Sequence, residues 1–277
     1  MTNAPRFLYG TAWKEDETER LARLAIEAGF RGIDTANQRR HYFEAGVGAA
    51  VAGAIRDGLV TREELFLQTK FTYRDGQDHR LPYDPKAPLA TQVQQSFASS
   101  LEHLQVETID SYVLHGPSTR RGLGDADREV WRAMESLHAT AKTRLLGVSN
   151  IALDQLEELW ELAKVKPAFV QNRCFAVTAW DYHVRQFCTA HGIVYQGFSL
   201  LTANARELST RRFRELVARS GKTPAQLVFT FALQVGMLPL TGTTDPQHMR
   251  EDLAALDMTL TDEDARLIET IALRDSV

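Results

Sequence analysis

The sequence predicts a closed parallel (β/α)8 barrel of the TIM type, an α/β fold forming a single domain over residues 1–277. Two observations carry this prediction. About eight short apolar runs alternate with longer amphipathic segments, and eight strand–helix units in about 250 residues match the size of such a barrel. The rival, an open doubly wound sheet, lacks its best support, because no GxGxxG separates the first strand from the first helix.

The strands read, in order, as Phe7–Gly10, Gly32–Asp34, Leu65–Lys70, Ile109–His115, Leu145–Ser149, Phe169–Gln171, Val194–Ser199 and Met237–Leu240. The helices between them read as Glu17–Ala28, Glu44–Asp57, Leu89–Leu104, Asp127–Thr140, Asp154–Lys164, Tyr182–His191, Pro224–Gln234 and Pro246–Leu256. In the first of these, Leu21, Leu24, Ala25 and Ala28 fall on one face at helical spacing. Thr223 before Pro224, and Asp245 before Pro246, each place a capping side chain ahead of a proline at the first helical position. Thr261 with Asp264 resembles a capping box for a last helix, Asp262–Ala272. Asp75–Pro88 and Gly116–Asp127 read as long loops within the domain. The TRR pieces at Thr119–Arg121 and Thr210–Arg212 read as solvated loop charges that could also meet an anion.

Composition excludes several classes. Apolar residues make up 44% and charged residues 25%, the mix of a globular protein. A net charge of −4 offers no basic face for nucleic acid. No apolar run approaches the ~20 residues that span a bilayer, and MTNAPRFLYG lacks the layout of a secretory signal. Two cysteines, Cys174 and Cys188, fit a reduced cytoplasmic chain. The expectation is a monomer or weak homo-oligomer that acts on a small molecule and touches neither nucleic acid nor membrane.

In a barrel of this kind chemistry sits at the C-terminal ends of the strands. Those ends are polar here: Asp34, Lys70, His115, Ser149 with Asn150, Gln171 and Ser199. Any one of them alone reads equally well as a cap or a satisfied core group. Six at equivalent positions read as a site. Lys70 follows Leu65, Phe66 and Leu67, and a buried ammonium needs an acid, for which Asp34 one strand away is the natural partner. A tyrosine beside that lysine would have its phenolate favoured; bringing a phenol from ~10 to near neutrality takes roughly 3–4 kcal/mol. Such a tyrosine can exchange a proton with a carbonyl oxygen, with His115 orienting that oxygen or sharing the proton.

The pieces YGTAW, GFRGIDTA, LQTKF, IDSYVLHGP, LLGVSN, FVQN, YQGFSLL and GTTDPQHMREDL together resemble the aldo-keto reductase family along nearly the whole chain. The resemblance implies a TIM barrel, a nicotinamide cofactor held without a Rossmann domain, and hydride transfer between that cofactor and an aldehyde or ketone. It places three members of the family's catalytic tetrad on Asp34, Lys70 and His115. By position it also implies that Ser149, Asn150 and Gln171 hold the carboxamide, and that Phe198 stacks on the nicotinamide. Ser199 then lies at the phosphates, with Thr11, Leu201, Gly242, Thr243, Thr244, His248, Glu251 and Asp252 completing the cofactor contacts. Trp13, His41 and Gly116 would meet the small-molecule substrate, a carbonyl compound or alcohol that is expected to be bulky or polar rather than a short aldehyde. No metal is implied.

Three departures from the family stand out. The tyrosine that closes the tetrad is displaced: its expected place after Asp34 holds Arg39, while counting back from AGVG reaches His41, with Tyr42 beside it. Tyr42 is the preferred acid, because a phenol does the expected chemistry with Lys70, and His41 is the alternative. At the cofactor's tail, Gly242 stands where the family often has lysine and His248 where it has arginine, removing two charge-assisted contacts to a 2′-phosphate. Thr243, Thr244 and the N–H groups opening the Pro246 helix could replace them. NADP(H) is favoured by the resemblance, and NAD(H) remains open. Asp252 stands in place of the usual adenine-contacting asparagine. At the pocket, Gly116 replaces the family's tryptophan, which predicts a wider mouth walled by Trp13, Trp180 and Phe43. Two other readings stay open: a cofactor-binding regulatory protein with little turnover, and an epimerase or lyase that oxidises its substrate transiently.

Overall fold

The computed structural model describes residues 5–273. Eight strands close into a barrel in sequence order: β1 (Leu8–Gly10), β2 (Gly32–Asp34), β3 (Phe66–Phe71), β4 (Ile109–Leu114), β5 (Thr143–Ser149), β6 (Phe169–Arg173), β7 (Val194–Phe198) and β8 (Met237–Thr241). All neighbours run parallel, and β1 meets β8 with Leu8 opposite Leu240. The helices are α1 (Thr18–Ala28), α2 (Glu44–Arg56), α3 (Leu89–Leu104), α4 (Asp125–Ala139), α5 (Leu153–Leu162), α6 (Tyr182–His191), α7 (Arg211–Ser220), α8 (Pro224–Gln234), α9 (Pro246–Ala254) and α10 (Asp262–Glu269).

Alternation along each strand sorts the barrel into layers. Leu8, Phe66, Phe169 and Leu238 plug its floor, and the rings of Phe66 and Phe169 meet edge to face at 5.6 Å. Two residues further along β3 and β6 the interior turns polar: Gln68 and Gln171 are hydrogen-bonded across the barrel with Asp34 of β2 and Gln196 of β7, above the plug. A second apolar core lies between strands and helices, where Phe97 of α3 meets Tyr112 of β4 at 4.8 Å. Gly48 lets α2 approach α3 closely, since a Cβ there would sit 1.9 Å from the carbonyl oxygen of His103. Cys174 and Cys188 are buried free thiols.

The capping side chains read from the sequence are in place, though Thr261 with Asp264 makes only half of the expected capping box. Thr223 accepts from the Gln226 N–H, Asp245 from Gln247 and His248, and Thr261 from Asp264. Several ends shift by a few residues: β1 begins at Leu8, β6 extends to Arg173, and β4 stops one residue before His115. One helix escaped the sequence. Thr210–Arg212, read as loop, caps and opens α7, whose apolar stripe is only Phe213 and Leu216 amid charges. Those two buried side chains, three residues apart, still make the segment strongly amphipathic, and the arginines around them are what read as a solvated loop.

Candidate active site

Strand termini deliver the polar groups to one cavity of about 900 Å³ at the C-terminal mouth of the barrel. Two backbone kinks shape its rim: Trp13 and Ser199 both adopt the left-handed region, with φ of 62° and 56°. Non-glycine residues reach that region at a cost, and such strain gathers at ligand sites.

At the cavity floor, Lys70 and Asp34 form a buried ion pair. The Lys70 ammonium donates to both Asp34 oxygens and to the Thr35 carbonyl, each at 2.7 Å. Burial depresses the ammonium's pKa, and Asp34 works against that depression. Asp34 Oδ1 also accepts from Gln68 at 2.7 Å and Gln171 at 3.0 Å, so the carboxylate is held by three donor side chains.

The displaced tyrosine is explained by its loop. Asn37 and Gln38 are buried anchors: Asn37 donates to the Ser96 carbonyl of α3, and Gln38 to the Gly76 carbonyl. The Gln38 carbonyl then accepts from the N–H groups of both His41 and Tyr42, a tight turn that swings Tyr42 inward. The Tyr42 ring lies 5.2 Å from the Lys70 ammonium and edge-on to His115 at 5.9 Å. His41 also lines the cavity, but further out, stacked on the exposed indole of Trp13 with centroids 3.9 Å apart. Burial and the nearby Arg40 lower its pKa. Arg39 turns away and lays its guanidinium over Phe43 at 4.3 Å.

One electrostatic expectation is overturned. Lys70 was expected to pull the Tyr42 hydroxyl toward neutrality; burial instead pushes it above its ordinary value, and Asp34 pushes further. Burial is the main cause, and the Asp34 carboxylate, which holds the ammonium at 2.7 Å, offsets the pull of Lys70 on the hydroxyl. Tyr42 therefore holds its proton at neutral pH. His115 is held neutral as well, at about 3, by burial first and by Lys70 next. Its Nδ1 is bonded to the Thr72 hydroxyl at 2.7 Å, which leaves Nε2 as the nitrogen that can meet a ligand.

The remaining expected residues divide. Ser149, Gln171, Phe198, Ser199 and Leu201 line the inner wall, and Gly242, Thr243, His248, Glu251 and Asp252 line the opposite end. Six expectations do not place a residue in that wall, among them Phe43, which lies under the Arg39 guanidinium. Thr11 is fully buried and gives both its hydroxyl and its N–H to the Asp34 carbonyl. Asn150 turns its amide to the His115 carbonyl and the Ser149 hydroxyl. Gly116 packs against Asn150, Thr244 is exposed outside the cavity, and Trp180 is wholly buried, donating to the Ile268 carbonyl. Nor are the first N–H groups of α9 free for a phosphate. The Asp245 carboxylate already accepts from Gln247 and His248, at 2.7 and 3.2 Å. Asp252, buried and bonded to Thr241 at 2.8 Å, is raised by that burial to about 6.

Sequence reasoning missed Gln68, Thr72, Lys14, Gln196 and Arg173. Three of them were within reach, since Gln68 and Thr72 flank Lys70 at a spacing of two, and Arg173 stands two beyond Gln171. Lys14, which donates to the Gly242 carbonyl, gave no such signal.

A closed parallel barrel with a buried acid–lysine pair, a protonated tyrosine and a neutral histidine at its C-terminal mouth defines a class: an oxidoreductase-type barrel built for proton transfer to a bound carbonyl. The aldo/keto reductase family model matches residues 7–273, and the chain belongs to that family. With it goes the family's chemistry, nicotinamide-dependent interconversion of carbonyls and alcohols. The 9,11-endoperoxide prostaglandin H2 reductase of Trypanosoma cruzi is 31% identical over 92% of this chain and 82% of its own length. Among solved structures, an aldo/keto reductase from Brucella melitensis superposes with a TM-score of 0.81 at 26% identity, covering 96% of this chain and 95% of that one. An aldo-keto reductase crystallised with NADPH shares the fold with a TM-score of 0.82 at 23% identity, over 98% and 86% of the two chains.

Proposed function

We propose that the chain reduces an aldehyde or ketone with a nicotinamide dinucleotide, with Tyr42 as the acid that protonates the carbonyl oxygen. The observation that carries this reading is the position of Tyr42, in the cavity wall beside both His115 and the buried Asp34–Lys70 pair. The cavity's donor set fits the cofactor. Phe198 offers a ring face, and Gln171, whose amide nitrogen is committed to Asp34 and Gln196, keeps its carbonyl oxygen to accept from a carboxamide. When bound, the nicotinamide supplies the hydride. Tyr42 enters the step with its proton on, which is the state reduction needs. The Nε2 side of His115 holds the same oxygen in place, and Asp34 and Lys70 keep the floor of the site rigid and neutral overall. A protonated Tyr42 is a poor base, so alcohol oxidation is expected to gain as pH rises while reduction is favoured near neutrality.

The cofactor's tail supports a departure from the NADP(H) expectation. Gly242 and His248 provide neither a lysine nor an arginine, and Asp245 caps the helix whose N–H groups would have met the phosphate. NADH is expected to serve at least as well as NADPH. A KM for NADPH far below that for NADH would refute this. The central test is Tyr42→Phe: carbonyl reduction lost by a factor of ~10² or more, with dinucleotide binding retained. A Tyr42→Phe enzyme that keeps its rate, with loss in His41→Gln instead, would move the acid to His41.

A further inference from the structure

Arg173 occupies the rung above Gln171 on β6, opposite Phe198 of β7 in the strand register, and it lines the cavity. Its guanidinium lies 5.8 Å from the Phe198 ring. Among the described residues it makes no ion pair and no hydrogen bond. The other cations of the wall are not comparable. The Lys14 ammonium is committed to the Gly242 carbonyl, and His41 and His115 are both pushed toward their neutral forms. Asp34, the acid on the cavity floor, is already held by Lys70, Gln68 and Gln171. A planar fork of donors with no protein acceptor, stacked on an aromatic ring at the rim of a cavity, is arranged to take an anionic oxygen group from a ligand.

We propose that Arg173 is the anion anchor of this cavity. It binds either the diphosphate of the dinucleotide or a carboxylate carried by the carbonyl substrate. The proposal rests on the reductase reading for the identity of its ligands, and its test is read by binding as well as by turnover. The probes are ADP-ribose, which has the diphosphate but no nicotinamide, and a matched pair of aldehydes, 4-carboxybenzaldehyde and methyl 4-formylbenzoate. Arg173→Met and Arg173→Lys are compared with the wild type, with thermal melts to establish that each variant is folded. Binding is followed through the fluorescence of Trp13 at the rim.

If the diphosphate is the ligand, Arg173→Met weakens ADP-ribose binding about tenfold or more, the size of one charge-assisted contact, and Arg173→Lys recovers part of the loss. If the substrate carries the anion, ADP-ribose binding holds while KM for 4-carboxybenzaldehyde rises about tenfold and that for the methyl ester moves much less. Unchanged ADP-ribose binding together with equal KM changes for the two aldehydes would overturn the proposal. A wild type that reduces neither aldehyde, yet binds ADP-ribose in an Arg173-dependent way, would remove the reductase reading and leave the anion anchor standing. Failure of the wild type to bind ADP-ribose or to reduce either aldehyde would remove both.

Discussion

The buried pair beneath Tyr42 invites a double-mutant cycle with Lys70→Met, Asp34→Asn and the combination. Both side chains are removed from water, at 0% and 4% exposure, and they meet at 2.7 Å. Deleting one partner of such a pair leaves the other charge buried, which typically costs about 3–5 kcal/mol. The structure ranks the two losses. After Lys70→Met, Asp34 still has the amides of Gln68 and Gln171 at 2.7 and 3.0 Å, so the cost belongs near the lower figure. After Asp34→Asn, the ammonium keeps only the Thr35 carbonyl and a neutral amide oxygen, and the cost belongs near the upper one. The double variant strands no charge and should recover about 2–3 kcal/mol relative to the sum of the singles. Urea unfolding followed by far-UV circular dichroism measures all four proteins at one pH, and carbonyl reduction should be lost in each variant. Single losses below about 1 kcal/mol, or additivity within about 0.5 kcal/mol, would show that the pair is solvated in solution and refute the account in which Asp34 offsets Lys70 at Tyr42.

Two further outcomes are expected. Thr72→Val removes the one partner that His115 Nδ1 has among the described residues and should lower kcat/KM by roughly ten- to a hundredfold, with Thr72→Ser restoring most of it; equal activity in Val and wild type would mean the hydroxyl does not orient the ring. Asp252 has its pKa raised by folding, from 3.8 to about 6, so the native state binds the extra proton and wild-type stability should fall as pH rises through that window, by roughly 2–3 kcal/mol, then level off. Asp252→Asn should be flat across the same range in pH-dependent urea titrations, and a parallel decline in both proteins would assign the loss to another group.

Much of this site was legible along the chain because a parallel barrel turns linear spacing into geometry. Each strand ends at the same rim, so Asp34, Lys70, His115, Ser149, Gln171 and Ser199 could be placed by counting alone, and the same counting extended by two positions reaches Gln68, Thr72 and Arg173. Counting failed where side chains leave the rung they start from. Asn150 stands at a strand end but turns to the His115 carbonyl, and Thr11 spends its hydroxyl on the Asp34 carbonyl. It failed again at α9, where Asp245 was correctly read as a cap, yet a cap is also a carboxylate that fills the sites a phosphate would need.

The sequence by itself determined the barrel, the order of its strands, the polar rim and the family, since apolar period, caps and strand-tip chemistry are local and repeat eight times. Only the tertiary structure decided that Tyr42 faces Lys70 while His41 stacks outward on Trp13, because that choice depends on where buried Asn37 and Gln38 anchor the loop to α3 and to Gly76. The protonation of Tyr42 was likewise beyond the sequence. A neighbouring lysine predicts a lowered phenol, but the field at the hydroxyl is set by burial and by the distance at which Asp34 neutralises that lysine, and both are properties of the folded chain.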